Sequence, residues 1–139
     1  AAIRASFLHL DHATGRAAMV RAVLEGVTHA VRDSYDALTG TGTRIESLIA
    51  VGGGSRSDYW LKAIATSLGL PISVPVAGDF GGAFGAARLA MMAASGAGAE
   101  IATAPRIAKT IEPDTTLASA FAEAHARYSA AYSALKGLT

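Results

Sequence analysis

An α/β fold with parallel strands is predicted by three observations. Two short apolar runs, Leu48-Ile49-Ala50-Val51 and Leu70-Pro71-Ile72-Ser73-Val74-Pro75, read as strands. A stretch with helical spacing precedes the first run, and another separates the two. Each strand leads into glycines, first Gly52-Gly53-Gly54 and then Gly78-Asp79-Phe80-Gly81-Gly82. Helix, strand, helix, strand in that order implies parallel pairing in a sheet packed by helices.

Ala1 to Leu10 reads as extended, with Phe7, Leu8 and Leu10 as its apolar residues. Asp11 to Arg16 is a turn in which Asp11 or Thr14 can cap the helix that follows. From Arg16 to Leu38, Val20, Val23, Leu24, Val27, Val31, Tyr35 and Leu38 recur at helical spacing and form the expected buried stripe. Arg21, Glu25, Thr28, Arg32 and Asp36 fall on the opposite face, where Arg32 and Asp36 can pair and Arg21 and Glu25 read as solvated. Gly26 costs about 1 kcal/mol inside a helix, which points to a close backbone approach.

Ile45 to Val51 is the first strand, and Ser55 or Ser57 can cap a helix through Tyr59, Trp60, Leu61, Ile64 and Leu68. Gly69 supplies its C-terminal cap. Pro71 and Pro75 belong at the ends or the edge of the second strand. Ala83 to Ala94 is apolar enough to suggest a membrane span. Arg88 and the small residues point instead to a helix buried against another backbone, with Met91 and Met92 as gap-fillers and Asp79 as its cap. Ser95 to Ala104 is a Gly/Ala-rich connection, and Arg106 to Ile111 alternates like a surface strand. Pro113-Asp114 opens a last helix with Leu117, Phe121, Ala124, Tyr128, Tyr132 and Leu135 on one stripe and Gly137 at its end.

Bulk properties exclude several functions. At 139 residues the chain has the length of one domain. Twelve Lys and Arg against eleven Asp and Glu leave a net charge of +1, so neither nucleic acid nor a membrane surface is an expected partner. The chain lacks cysteine, which removes disulfides and thiolate metal sites and fits a reducing cytoplasm. His9, His12, His29 and His125 are scattered, so no zinc site is expected. Only 17% of residues are charged and 51% are hydrophobic, the balance of a piece that packs against more protein.

The glycine turn after the first strand carries the chemistry. A strand, a turn without side chains and a helix N-terminus together present backbone N–H groups and a positive dipole end, which suits a nucleotide. The turn is not a P-loop, because no Gly-Lys-Ser/Thr follows the glycines. It also misses the dinucleotide fingerprint, since Ser57 stands where the third glycine belongs. On the residues alone, a ligand site and a tight bend without a ligand both remain open.

Four segments narrow the choice, in this order: Arg4-Ala5-Ser6-Phe7-Leu8-His9-Leu10, Arg21-Ala22-Val23-Leu24-Glu25-Gly26-Val27, Gly52-Gly53-Gly54-Ser55-Arg56-Ser57-Asp58-Tyr59-Trp60 and Gly78-Asp79-Phe80-Gly81-Gly82-Ala83-Phe84-Gly85-Ala86-Ala87-Arg88-Leu89-Ala90. Together with the late Tyr128 and Tyr132 helix, they resemble the C-terminal region of the FGGY carbohydrate kinases. The likeness runs co-linearly through nearly the whole chain. It implies an actin-like (ribonuclease H-like) ATPase fold of two lobes, with residues 1–139 as part of the C-terminal, nucleotide-binding lobe and with an incomplete sheet. It also implies a cytoplasmic enzyme that uses ATP and magnesium to phosphorylate a ketose, D-xylulose to D-xylulose 5-phosphate.

By position in the resemblance, Gly53 and Gly54 line the adenine and Asp58 contacts the base. The family's catalytic aspartate, sugar-binding residues and magnesium and phosphate loops are expected upstream of Ala1. Residues 1–139 alone are then expected to lack kinase activity and to bind the upstream lobe or a second copy. The alternative is a non-catalytic association domain derived from such a kinase. A dinucleotide-binding module is the weaker rival, because Val74 and Val76 offer no acid for a ribose at the end of the second strand.

Overall fold

The middle strand of a three-stranded sheet, β2 (Ile72–Pro75), lies between β1 (Leu48–Ile49) and β3 (Ile107–Ile111) in a computed structural model that describes residues 5–76, 78 and 81–138. β1 and β2 are parallel, with Leu48 opposite Ile72 and Ile49 opposite Ser73, as the element order implies. β3 adds an antiparallel strand on the other side, with Ile72 opposite Ile111 and Val74 opposite Lys109. The register slips between Val74 and Pro75, where proline has no N–H to give the ladder. Pro75 thus closes a central strand. β1 is shorter than the apolar run around it.

The helices are α1 (Arg16–Gly40), α2 (Asp58–Leu68), α3 (Gly81–Ser95) and α4 (Ala118–Leu135). α2 is the parallel crossover between β1 and β2, and it touches α1, α4 and β3. Its Leu61 and Ala65 meet Ile72 and Val74 of β2 to form the buried core, with Leu48, Ala50, Ile64 and Ile111 packed around it. Both ends of α2 are fixed locally. Ser57 Oγ accepts a hydrogen bond from Trp60 N at 3.3 Å, and Gly69 takes a left-handed conformation at φ 69°. Arg32 of α1 also donates to the carbonyl of Ser67, covering one of the last carbonyls of α2.

α1 turns a different face inward from the one its valines suggest. Thr28 and His29 are its buried residues, whereas Val20, Val23, Val27 and Leu38 are exposed. α2 reaches Glu25 and Arg32, and α4 reaches His29 and Asp33, so both neighbours arrive on the polar side. Thr28 is accommodated there because its Oγ1 donates to the carbonyl of Leu24 at 2.9 Å. Gly26 makes no close approach, with nothing within 4 Å of where a Cβ would stand. Asp11 and Thr14 bond to each other at 2.7 Å and build the preceding turn, and Gly15 takes the capping position instead.

α3 also departs from expectation. None of its residues is buried, and Phe84, Leu89 and Met91 are exposed, so Met91 fills no core gap. Among the described residues the helix is met by the short turn Ala99–Ile101, by Thr103, which accepts from Arg88 at 3.0 Å, and by Val51 beside Gly81, and these leave most of its surface open. The expected cap, Asp79, lies outside the described residues. β3 is the expected surface strand, and the last helix follows a short turn capped by Asp114, whose carboxylate accepts from Thr116 N at 3.1 Å. No helix of the described residues is long and apolar enough to cross a membrane.

Candidate functional site

Parallel strands bring their C-terminal ends to one edge of a sheet, and that edge is where ligands bind in open α/β folds. Here β1 leaves the sheet into the glycine turn that begins at Gly52, and Gly78 stands beside it, three residues beyond β2. Ala50 N donates to Ser73 O at 2.9 Å, and Gly52 N then donates to Gly78 O at 2.8 Å. Gly78 is buried, and a Cβ on it would stand 3.2 Å from Ala50 O and 3.1 Å from Pro75 Cδ. A side chain at Gly78 would have to push these neighbours back by a few tenths of an ångström, so the close approach favours glycine.

Gly52 has φ 84° and ψ 178°, a conformation open to glycine and strained for other residues. The chain then winds one tight turn, Gly53–Arg56, before α2 begins. Ser55 locks that turn, its N–H donating to Gly52 O at 3.0 Å and its hydroxyl to the same carbonyl at 2.7 Å. Ser57 N donates to Gly54 O at 3.1 Å, while Ser57 Oγ caps α2. Of the two candidate caps, Ser57 faces the helix and Ser55 faces back.

Gly53 and Gly54 sit side by side in this turn with different surroundings. Among the described residues, a Cβ on Gly53 would meet nothing within 4 Å. On Gly54 it would stand 2.6 Å from Trp60 Cζ3 and 3.2 Å from Cε3. Trp60 Nε1 is buried and has no hydrogen-bond partner among the described residues. Asp58 opens α2 with an exposed carboxylate, 2.5 Å from Lys109 Nζ on β3. Lys62, four residues along, donates to the carbonyl of Glu112 at 2.8 Å, so the end of β3 is fastened to α2 as well.

Tyr59 separates two open grooves. One is lined by Asp58, Lys62, Thr110 and Ile111, and the other by Arg16, Val20, Arg21 and Leu24. The Tyr59 hydroxyl donates to Glu25 Oε1 at 2.9 Å, and Arg21 Nε reaches the same oxygen at 2.7 Å. Burial and that hydrogen bond both push the phenol's pKa above its ordinary value. Glu25 is therefore half-buried and tied to α2. Sequence reasoning missed Lys109 and the Glu25–Tyr59 bond, because the partners lie 51 and 34 residues apart. Trp60 was legible as the chain's single tryptophan, though its contact with Gly54 was not.

Residues 1–94 match the C-terminal domain of the FGGY family of carbohydrate kinases. The chain belongs to that family. This FGGY domain is 37% identical over 89 residues to a xylulose kinase of Escherichia coli, covering 64% of this chain and 18% of that one. A crystal structure of a xylulose kinase from Brucella ovis superposes with a TM-score of 0.88 at 57% identity, over 99% of this chain and 29% of that one. A xylulose kinase from Rhodospirillum rubrum follows with a TM-score of 0.78 at 28% identity, over 96% of this chain and 27% of that one. The FGGY domain thus has the α/β architecture of part of an actin-like ATPase fold, and it spans less than a third of the length of these relatives.

Proposed function

We propose that this FGGY domain forms the adenine-binding wall of an ATP-dependent ketose kinase that converts D-xylulose to D-xylulose 5-phosphate. The observation that carries the reading is the open turn at Gly53. It stands at the C-terminal end of a parallel strand and leads into the capped N-terminus of α2. The xylulose kinases among the relatives supply the sugar.

The residues present fit a nucleotide base. Gly53 leaves room for a flat ring, Gly54 packs against Trp60 on its own side-chain face and can offer the base only its backbone, and the Asp58 carboxylate at the start of α2 can accept from an exocyclic amino group. ATP would supply the phosphoryl group. The turn binds and orients its base, while Ser55 and Ser57 hold the turn in shape before the ligand arrives. Magnesium has no comparable donor set here, since no three His, Asp or Glu side chains converge among the described residues. Phosphoryl transfer needs charge neutralisation at the phosphates and a base for the sugar hydroxyl. We assign those groups, and the sugar contacts, to the remainder of the kinase, so the domain alone is inactive and works in the cytoplasm joined to its other lobe. A second reading, a non-catalytic association domain, draws its support from the uncovered face of α3.

Gly53→Val in the complete kinase tests the nucleotide reading. The added methyls would occupy the space given to adenine without touching Trp60. Calorimetry should show ATP binding weakened about ten- to hundred-fold, roughly 1–3 kcal/mol, with sugar binding unchanged. ATP affinity held within about twofold in a folded variant would overturn it.

A further inference from the structure

We infer that Trp60 is the positioning residue of the glycine turn: its indole sets the shape in which Gly53 faces outward, and so it governs nucleotide affinity without contacting the nucleotide. This inference rests on the nucleotide reading of the turn. Gly54 lies against the six-membered ring of Trp60, so close that even a methyl group would collide at 2.6 Å. The ring is half-buried with its Nε1 edge inside, and α2 fixes the backbone that carries it between Ser57 and Gly69, so a rotation would expose that edge. Among the described residues the indole N–H has no hydrogen-bond partner, so the contacts that hold the ring within this domain are those of its shape.

The geometry divides labour between two adjacent glycines. Gly54 is small so that the aromatic wedge can sit beneath it. Gly53 is small in a direction that faces open space, where a ligand can lie. Ser55 and Gly52 close the turn from its other side. The indole supplies the remaining constraint. Removing it frees the turn to sample other conformations, and ordering it again must then come out of the binding free energy of the nucleotide.

The test is steady-state kinetics on the complete kinase. Trp60→Leu should raise KM for ATP about tenfold, equivalent to about 1.4 kcal/mol, with kcat and the sugar KM unchanged. Trp60→Phe, which keeps a ring under Gly54, should recover most of that loss. Gly54→Ala should raise the ATP KM by driving the new methyl into the ring. The double variant Gly54→Ala/Trp60→Leu should be no worse than either single change, the non-additivity expected of two groups in contact. If Trp60→Leu fails to fold, the Gly54→Ala and Trp60→Phe arms read the same contact from its other side. A fall in kcat with both KM values unchanged, or strictly additive effects, would make Trp60 a core residue only and overturn the inference. If Trp60→Leu is silent while Gly53→Val still weakens ATP, the inference fails and the nucleotide reading stands. Silence in both overturns both.

Discussion

His125 Nε2 of α4 lies 2.7 Å from Asp33 Oδ1 of α1, and this contact carries the His125 ring to 5.8 Å from the ring of His29. Phe121 and Tyr128 enclose His29 further, with centroids at 6.3 and 5.5 Å, and Nδ1 of His29 is buried with no partner among the described residues. The groups facing it are His125 and Arg127 from α4 and Glu25 and Asp33 from its own helix. Burial foremost, and then His125, lowers its pKa below the ordinary value.

Acid should therefore loosen the seam between α1 and α4. The unfolded chain takes up the proton near pH 6.5, while the folded one still refuses it. The contribution of His29 is fully present above about pH 6.5 and is lost as pH falls from there toward the lowered folded value. Urea midpoints at about pH 7.5 and 5.5 should separate in the wild-type chain, and His29→Phe should shrink the gap. An unchanged gap in the variant would place the acid sensitivity elsewhere.

Asp58 should matter for binding, while its pair with Lys109 should matter little for stability. Both side chains are largely exposed, so water and salt screen them. Lys109→Ala should cost less than about 1 kcal/mol in denaturant titration and leave ATP affinity within about twofold. Asp58→Asn should keep the fold and weaken ATP by about tenfold if the carboxylate meets the base. Equal effects from the two variants would reduce Asp58 to a partner for Lys109.

The uncovered face of α3 should bind protein. Phe84 and Met91, seven residues apart, share one side of the helix and Leu89 is exposed on another, while Ile49 of β1 and Val51, which lies beside Gly81, are exposed as well. The chain alone should self-associate at tens of micromolar, roughly where standard-sized interfaces form, and Leu89→Lys should shift it toward monomer. A compact wild-type monomer in sedimentation at that concentration would count against the idea.

Local signals in the sequence translated directly into structure. Ser57 and Gly69 bracket α2, Gly52 marks the positive-φ bend, and Pro75 ends its strand, because each is decided by its own backbone geometry. The inward face of α1 was not legible. Its valines are the better hydrophobes, yet burial goes to whichever face the neighbours reach, and Thr28 can satisfy its own hydroxyl within the helix. α3 reads as buried from composition alone, since composition cannot tell whether the covering element belongs to the same chain. At the site, the glycines announced a turn. Which glycine faces open space and which faces Trp60 depends on a contact six residues away.

The bond from Gly52 N to Gly78 O, with the Trp60 wedge, bears on how such a domain can be re-engineered. A hexapeptide copied from Gly52 to Ser57 into another scaffold would leave behind the ring that props it and the second turn that anchors it. It would also lose α2, whose last turn depends on Arg32. The smallest transplantable unit runs at least from Arg32 to Gly78. Homologous exchange between kinases of this kind should tolerate crossovers before α1, and it should reject those made inside that interval unless both parents share the tryptophan.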